Sequence, residues 1–180
     1  GTCGDNATWT YADGVLTISG TGWMDSSSYN NPPWKNYQSS ITTVIVEEGI
    51  IAIGSYAFMN CTRLTSVSLP DSLSIISSMA FAYCSGLTHI EFPDGLQHLS
   101  GAFGNCTGLT SIELPENMES ISDFHDCTNL VSVKLPDTLR SLDGFSNCTK
   151  LTTVEWPSSV NEIGQHAFYG CTALKDVTLP

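Results

Sequence analysis

Cys61-Thr62-Arg63-Leu64-Thr65-Ser66-Val67-Ser68-Leu69-Pro70 decides the fold, because the chain writes this pattern six times. Further copies begin at Cys84, Cys106, Cys127, Cys148 and Cys171, so the cysteines lie 23, 22, 21, 21 and 23 residues apart. Each cysteine has a phenylalanine three residues before it (Phe58, Phe81, Phe103, Phe124, Phe145, Phe168) and a proline nine after it (Pro70, Pro93, Pro115, Pro136, Pro157, Pro180). Inside each copy the pattern is Cys-x-x-Leu-x-x-(Val/Ile)-x-(Leu/Phe/Trp)-Pro. Its last apolar step has period two, which is a short strand, and the proline ends it because it cannot donate to a ladder.

Outward from the proline, apolar residues follow at the third place (Leu73, Leu96, Met118, Leu139, Val160) and the sixth (Ile76, Leu99, Ile121, Leu142, Ile163). All variation in length falls between that sixth place and the phenylalanine. One segment therefore tolerates insertion while the rest of the coil is fixed, as in a stacked array of coils. A single coil has too few apolar groups to fold alone, so stacking supplies the core. Successive strands run in the same direction and form a parallel sheet, the first over residues 41–46 and the last over 174–179.

The stretch Ile53-Gly54-Ser55-Tyr56-Ala57-Phe58-Met59-Asn60-Cys61 and its copy Ile163-Gly164-Gln165-His166-Ala167-Phe168-Tyr169-Gly170-Cys171 carry a family likeness. With the Cys-to-Pro pattern they resemble the BspA-like, Treponema-type bacterial leucine-rich repeats across residues 41–180. The middle copies, Ile121-Ser122-Asp123-Phe124 and Leu142-Asp143-Gly144-Phe145, are two residues shorter, and the asparagine ladder of commoner leucine-rich repeats is absent. The resemblance implies a right-handed solenoid with its parallel sheet on the concave face and short helical or irregular turns on the convex face. It also implies a secreted or cell-surface bacterial protein associated with adhesion and host interaction.

Residues 1–40 lack the repeat and are expected to cap it. Ala12-Asp13-Gly14 between Trp9–Tyr11 and Val15–Ser19 signals a β-hairpin, and Pro32-Pro33-Trp34 signals a loop. Trp9, Trp23, Trp34 and Tyr37 read as cap packing. A sharper reading makes Trp23, Trp34 and Tyr37 a sugar-stacking patch. At the other end, strand 174–179 has no following coil, so it is expected to meet a neighbour edge to edge or to continue into a longer chain.

The 180 residues carry 18 acidic and 6 basic groups, a net charge of −12. That disfavours nucleic acid and anionic membrane, both of which need clustered Lys and Arg. No segment approaches the roughly 20 apolar residues that span a bilayer. Six of the seven cysteines hold one repeat position and read as a ladder of buried free thiols. They lack zinc spacing, and no metal or cofactor is expected. The four histidines, His89, His98, His125 and His166, sit at different repeat phases, and no nucleophile or phosphate-loop motif appears. A non-catalytic protein-binding role follows, with a spacer within a larger surface protein and a carbohydrate-binding module as alternatives.

The strand positions between core residues face solvent on the concave side. One column reads Ile45, Ser68, Glu91, Glu113, Lys134, Glu155, Thr178, and its neighbour reads Thr43, Ser66, His89, Ser111, Ser132, Thr153, Asp176. His89, Glu91, Ser111, Glu113, Ser132, Lys134, Thr153 and Glu155 are the expected partner-binding residues, as a mostly acidic recognition strip for a protein.

Overall fold

The computed structural model describes residues 1–29 and 31–175. In chain order its strands are β1 (Ala7–Ala12), β2 (Val15–Gly20), β3 (Gly22–Trp23), β4 (Thr43–Val46), β5 (Ile50–Ile53), β6 (Ser66–Ser68) and β7 (Ile75–Ile76). There follow β8 (His98–Leu99), β9 (Ser111–Glu113), β10 (Ser120–Ser122), β11 (Ser132–Lys134), β12 (Ser141–Asp143), β13 (Thr153–Glu155) and β14 (Glu162–Ile163). They wind into a parallel β-solenoid of about five turns with little helix. Among the described residues the helical content is one 3-10 segment, Lys35–Ser40.

The coils build two ladders. The strand inside the Cys-to-Pro copy builds the first, in the orders β1-β2-β4-β6 and β9-β11-β13. A second strand, which in the repeats includes the sixth place after the proline, builds the other, in the orders β3-β5-β7-β8 and β10-β12-β14. The second ladder is not foreseen by the repeat pattern. Its strands are two to four residues long, too short for an alternation to show.

The hairpin forms as expected. β1 and β2 pair antiparallel from Ala7↔Gly20 to Ala12↔Val15, and Asp13 and Gly14 take φ of 48° and 86° at the tight turn. Its second strand also pairs in parallel with β4, from Val15↔Thr43 to Ile18↔Val46, and β3 pairs with β5. The cap is thus itself a long first coil, closed at its outer edge by β1. Gly54 passes so close to the cap that a Cβ there would stand 2.2 Å from the Asp25 carbonyl oxygen.

The interior is a set of one-residue columns. The six phenylalanines stack ring on ring, with centroids 5.0 to 5.8 Å apart from Phe58 to Phe168. Trp34 heads the column, buried and stacked on Phe58 at 5.4 Å with its indole N–H donated to the Ala57 carbonyl. All seven cysteines are buried free thiols. In the last five the S–H donates to the phenylalanine carbonyl of the preceding coil, at 3.0 to 3.3 Å. Burial pushes the thiols of Cys61, Cys106 and Cys148 up to about 12 and that of Cys3 to about 11.

The residue before each cysteine sits in the left-handed region, with φ of 60° to 77° at Asn60, Tyr83, Asn105, Asp126, Asn147 and Gly170. Asn, Asp and Gly enter that region at low cost. This accounts for the recurring Asn-Cys-Thr triplets without any appeal to glycosylation.

A seam crosses the stack where coil length steps from 22 residues to 21. Residues 88–92 form no strand, so the first ladder stops at β6 and resumes at β9. In the second ladder, among the described residues, the single bridge Ser100↔Ser122 joins the two halves. Both ladders are interrupted at this level of the stack, while the core columns continue across it. Asp123 repairs the interior at this step. In the longer coils Phe58 and Phe81 donate their N–H groups to the carbonyls of Ala80 and Ala102. In the shortened coil the Asp123 carboxylate takes over, accepting from Ala102 N (2.6 Å), Phe103 N (2.8 Å) and Phe124 N (2.7 Å). Burial raises this carboxyl to about 6 against the pull of those three donors.

Candidate recognition face

The face built by β9, β11 and β13 holds six of the expected partner-binding residues in register. Ser111, Ser132 and Thr153 stand side by side, as do Glu113, Lys134 and Glu155. Between these columns run Ile112, Val133 and Val154, whose side chains turn into the core. Alternation along a strand therefore places one apolar residue inward for every two polar residues outward. Lys134 donates its ammonium to the Glu113 carboxylate, and its pKa is raised first by that bond and then by the charge of Glu113. The three side chains relieve one another across the sheet, since a lysine separates two glutamates that would otherwise repel.

His89 and Glu91 belong to the same columns by sequence but lie off the ladder, in the strandless segment 88–92. The column therefore does not run unbroken from Ser68 through Glu91 to Glu113. His89 Nε2 stands 3.5 Å from Glu91 Oε1, with both side chains mostly exposed. A cleft of about 330 Å³ opens between this segment and the next coil, lined by His89, Ile90, Glu91, Phe92, Asp94, Glu113, Leu114, Pro115 and Glu116. Thr178 and Asp176, the last members of the columns, lie outside the described residues, as does most of the expected strand 174–179 with its open edge.

The three cap aromatics do not form one patch. Trp34 is buried as the first ring of the phenylalanine column, so it offers no face to a sugar. Tyr37 stacks on Tyr11 at 4.3 Å and meets Trp9 edge-on, at the hairpin end. Trp23 is 58% exposed on β3, in the other ladder, beside a small polar hollow lined by Asp5, Asn6, Thr21, Gly22 and Asp25. Sequence spacing alone carried the signal for Trp34, which precedes Phe58 by 24 residues, close to one coil.

The histidines stay apart. His98 lies in β8, His125 bonds Asp126 through Nδ1 at 2.9 Å, and His166 meets Tyr169 edge-on. The His125 bond is the first cause holding the Asp126 carboxyl below the usual range. Among the described residues no three His, Cys, Asp or Glu side chains come together to hold an ion. Nor is any helix long and apolar enough to cross a membrane.

A model of the BspA type leucine-rich repeat region matches residues 35–143 and 100–180, in six copies. The chain belongs to this family. Among solved structures, the BspA-type chain is similar to the leucine-rich repeat protein TpLRR of Treponema pallidum, at 25% identity and a TM-score of 0.73. That likeness covers 97% of this chain and 91% of the other. It also shares its fold with a leucine-rich repeat protein of Bacteroides ovatus, at 22% identity and a TM-score of 0.58, over 89% of this chain and 54% of that one. No curated protein matches.

Proposed function

We propose that this BspA-type chain is a non-catalytic protein-binding module of a secreted or cell-surface bacterial protein, and that it serves adhesion or host interaction through the face of β9, β11 and β13. The observation that carries the reading is the register of two outward polar columns, Ser111-Ser132-Thr153 and Glu113-Lys134-Glu155, on strands whose inward residues are locked into the core. Such a surface is preorganised, so a partner loses little by ordering it. Short hydroxyls beside charged groups suit multipoint polar contact, and repeat proteins use this face for partners. His89 and Glu91 extend it across the seam.

The test is binding to a panel of purified extracellular-matrix and epithelial surface proteins. A partner held by the native chain should lose at least tenfold in affinity on Glu113→Lys with Glu155→Lys; the three lysines then side by side lower the melting temperature somewhat, and circular dichroism checks that the variant is folded. Equal binding by the variant would remove the face from the proposal. A second reading has one observation behind it: Trp23 is an exposed indole beside a polar hollow, as a carbohydrate site requires. It expects a glycan-array signal that Trp23→Ala abolishes. Trp34→Ala carries no such expectation, because that ring belongs to the core.

A further inference from the structure

We infer that the seam cleft is the docking point for an extended, basic protein segment, with an arginine side chain seated against Glu91 and Asp94. This rests on the reading of the face as a protein-binding surface and names the chemistry of what it holds.

The first observation is main-chain. Residues His89 to Phe92 occupy the place of a strand, yet among the described residues their peptide N–H and C=O groups bond to no other main-chain group. β6 is hydrogen-bonded on its β4 side and β9 on its β11 side, so each turns an open edge toward this segment. Elsewhere in the first ladder the strands are paired. Unpaired main chain inside a sheet is where an added extended segment gains hydrogen bonds without displacing any.

The second observation is how the charge is laid out. Four carboxylates line the cleft, and two are already engaged: Glu113 accepts from Lys134, and Glu116 accepts the Asp137 N–H at 3.0 Å. Glu91 has only the exposed His89 imidazole at 3.5 Å, and the Asp94 carboxylate has no bond among the described residues. These groups do not converge on a point, so they do not suit one metal ion. Spread along the cleft, they suit cationic side chains carried along a chain. A planar guanidinium can bridge carboxylate and free carbonyl oxygens, which a lysine ammonium matches less well.

The third observation is the floor. Ile90 is buried and Phe92 packs edge-on against Phe103 at 5.6 Å, so apolar surface lies beneath the polar rim. An extended segment alternating apolar and basic residues presents both kinds of side chain. The whole chain carries −12, which favours approach of such a segment from a distance.

The test uses the peptide N-acetyl-Val-Arg-Val-Arg-Val amide, titrated into the isotopically labelled chain and followed through backbone amide shifts. The inference expects shifts concentrated at residues 88–94 and 113–116. It expects Glu91→Gln with Asp94→Asn to weaken binding at least tenfold, and a lysine version of the peptide to bind several-fold more weakly. Asp13→Asn with Glu162→Gln removes the same charge elsewhere and should change binding less than twofold. Equal losses in the two double variants, shifts scattered over the acidic surface, equal binding of the lysine peptide, or no shifts at all would each overturn the inference. If the peptide ignores the cleft while a protein partner still depends on Glu113 and Glu155, the cleft falls and the face stands. If the peptide seats as expected and no protein partner is lost on charge reversal of the face, only the wider reading fails.

Discussion

Single residues explain why the repeat takes the letters it does. The position before cysteine must be left-handed, and five of its six occupants are Asn, Asp or Gly; Tyr83 is the exception, at φ 63°. An ordinary side chain there costs about 1 kcal/mol or more. Tyr83→Asn should therefore stabilise the chain by about 1 kcal/mol, and Asn105→Ala should destabilise it by a similar amount. Urea melts of the two variants check both signs. Asp123 gives a larger effect. Its carboxylate serves three buried N–H groups, so Asp123→Ala should cost roughly 3 kcal/mol or more, at about 1–3 kcal/mol for each donor stranded.

The pH dependence follows from the same group. Asp123 is raised in the folded state from 3.8 to about 6, so folding takes up a proton between those values. Its contribution to stability is fully present below about pH 4, falls as pH rises through 6, and is constant above, a change on the order of 3 kcal/mol. The stability of the native chain relative to Asp123→Asn should decline over that window. A flat difference between pH 4 and 7 would contradict the assignment.

At the scale of elements, the two ladders and the columns between them decide what could be read in advance. The register of Ser111, Ser132 and Thr153 was legible because the nine residues from Cys to Pro never vary in number. The strandless segment 88–92 was not, because Cys84 to Pro93 carries the same pattern as the copies that do form strands. The place of Asp123 was marked by an acidic residue at a deletion, beside core positions. What it bonds to could be known only once the neighbouring coil was in place. The phenylalanine column makes its own prediction. Phe103→Ala should cost about 3–5 kcal/mol, since the ring has a neighbour on either side. The thiol column makes another: with pKa values pushed up to about 12, Cys61, Cys106 and Cys148 should ignore a thiol reagent at pH 8 and react once the chain is unfolded in urea.

The whole molecule is two stacks of coils joined at a seam, with a core continuous across the join and ladders that are not. Hydrogen exchange should show the difference. Amides of residues 89–92 should exchange faster than those of 132–134, which have ladder partners on both sides. The seam also divides the outward surface into an ordered strip and an acidic cleft, the two surfaces proposed for recognition.

The most direct test of that assignment is hydrogen exchange on the chain with a captured protein partner bound. Binding through this face would bring new protection at residues 111–113, 132–134 and 153–155, continuing into 89–94. Protection confined to the turns around the phenylalanines or to the hairpin cap, with these strands unchanged, would contradict it.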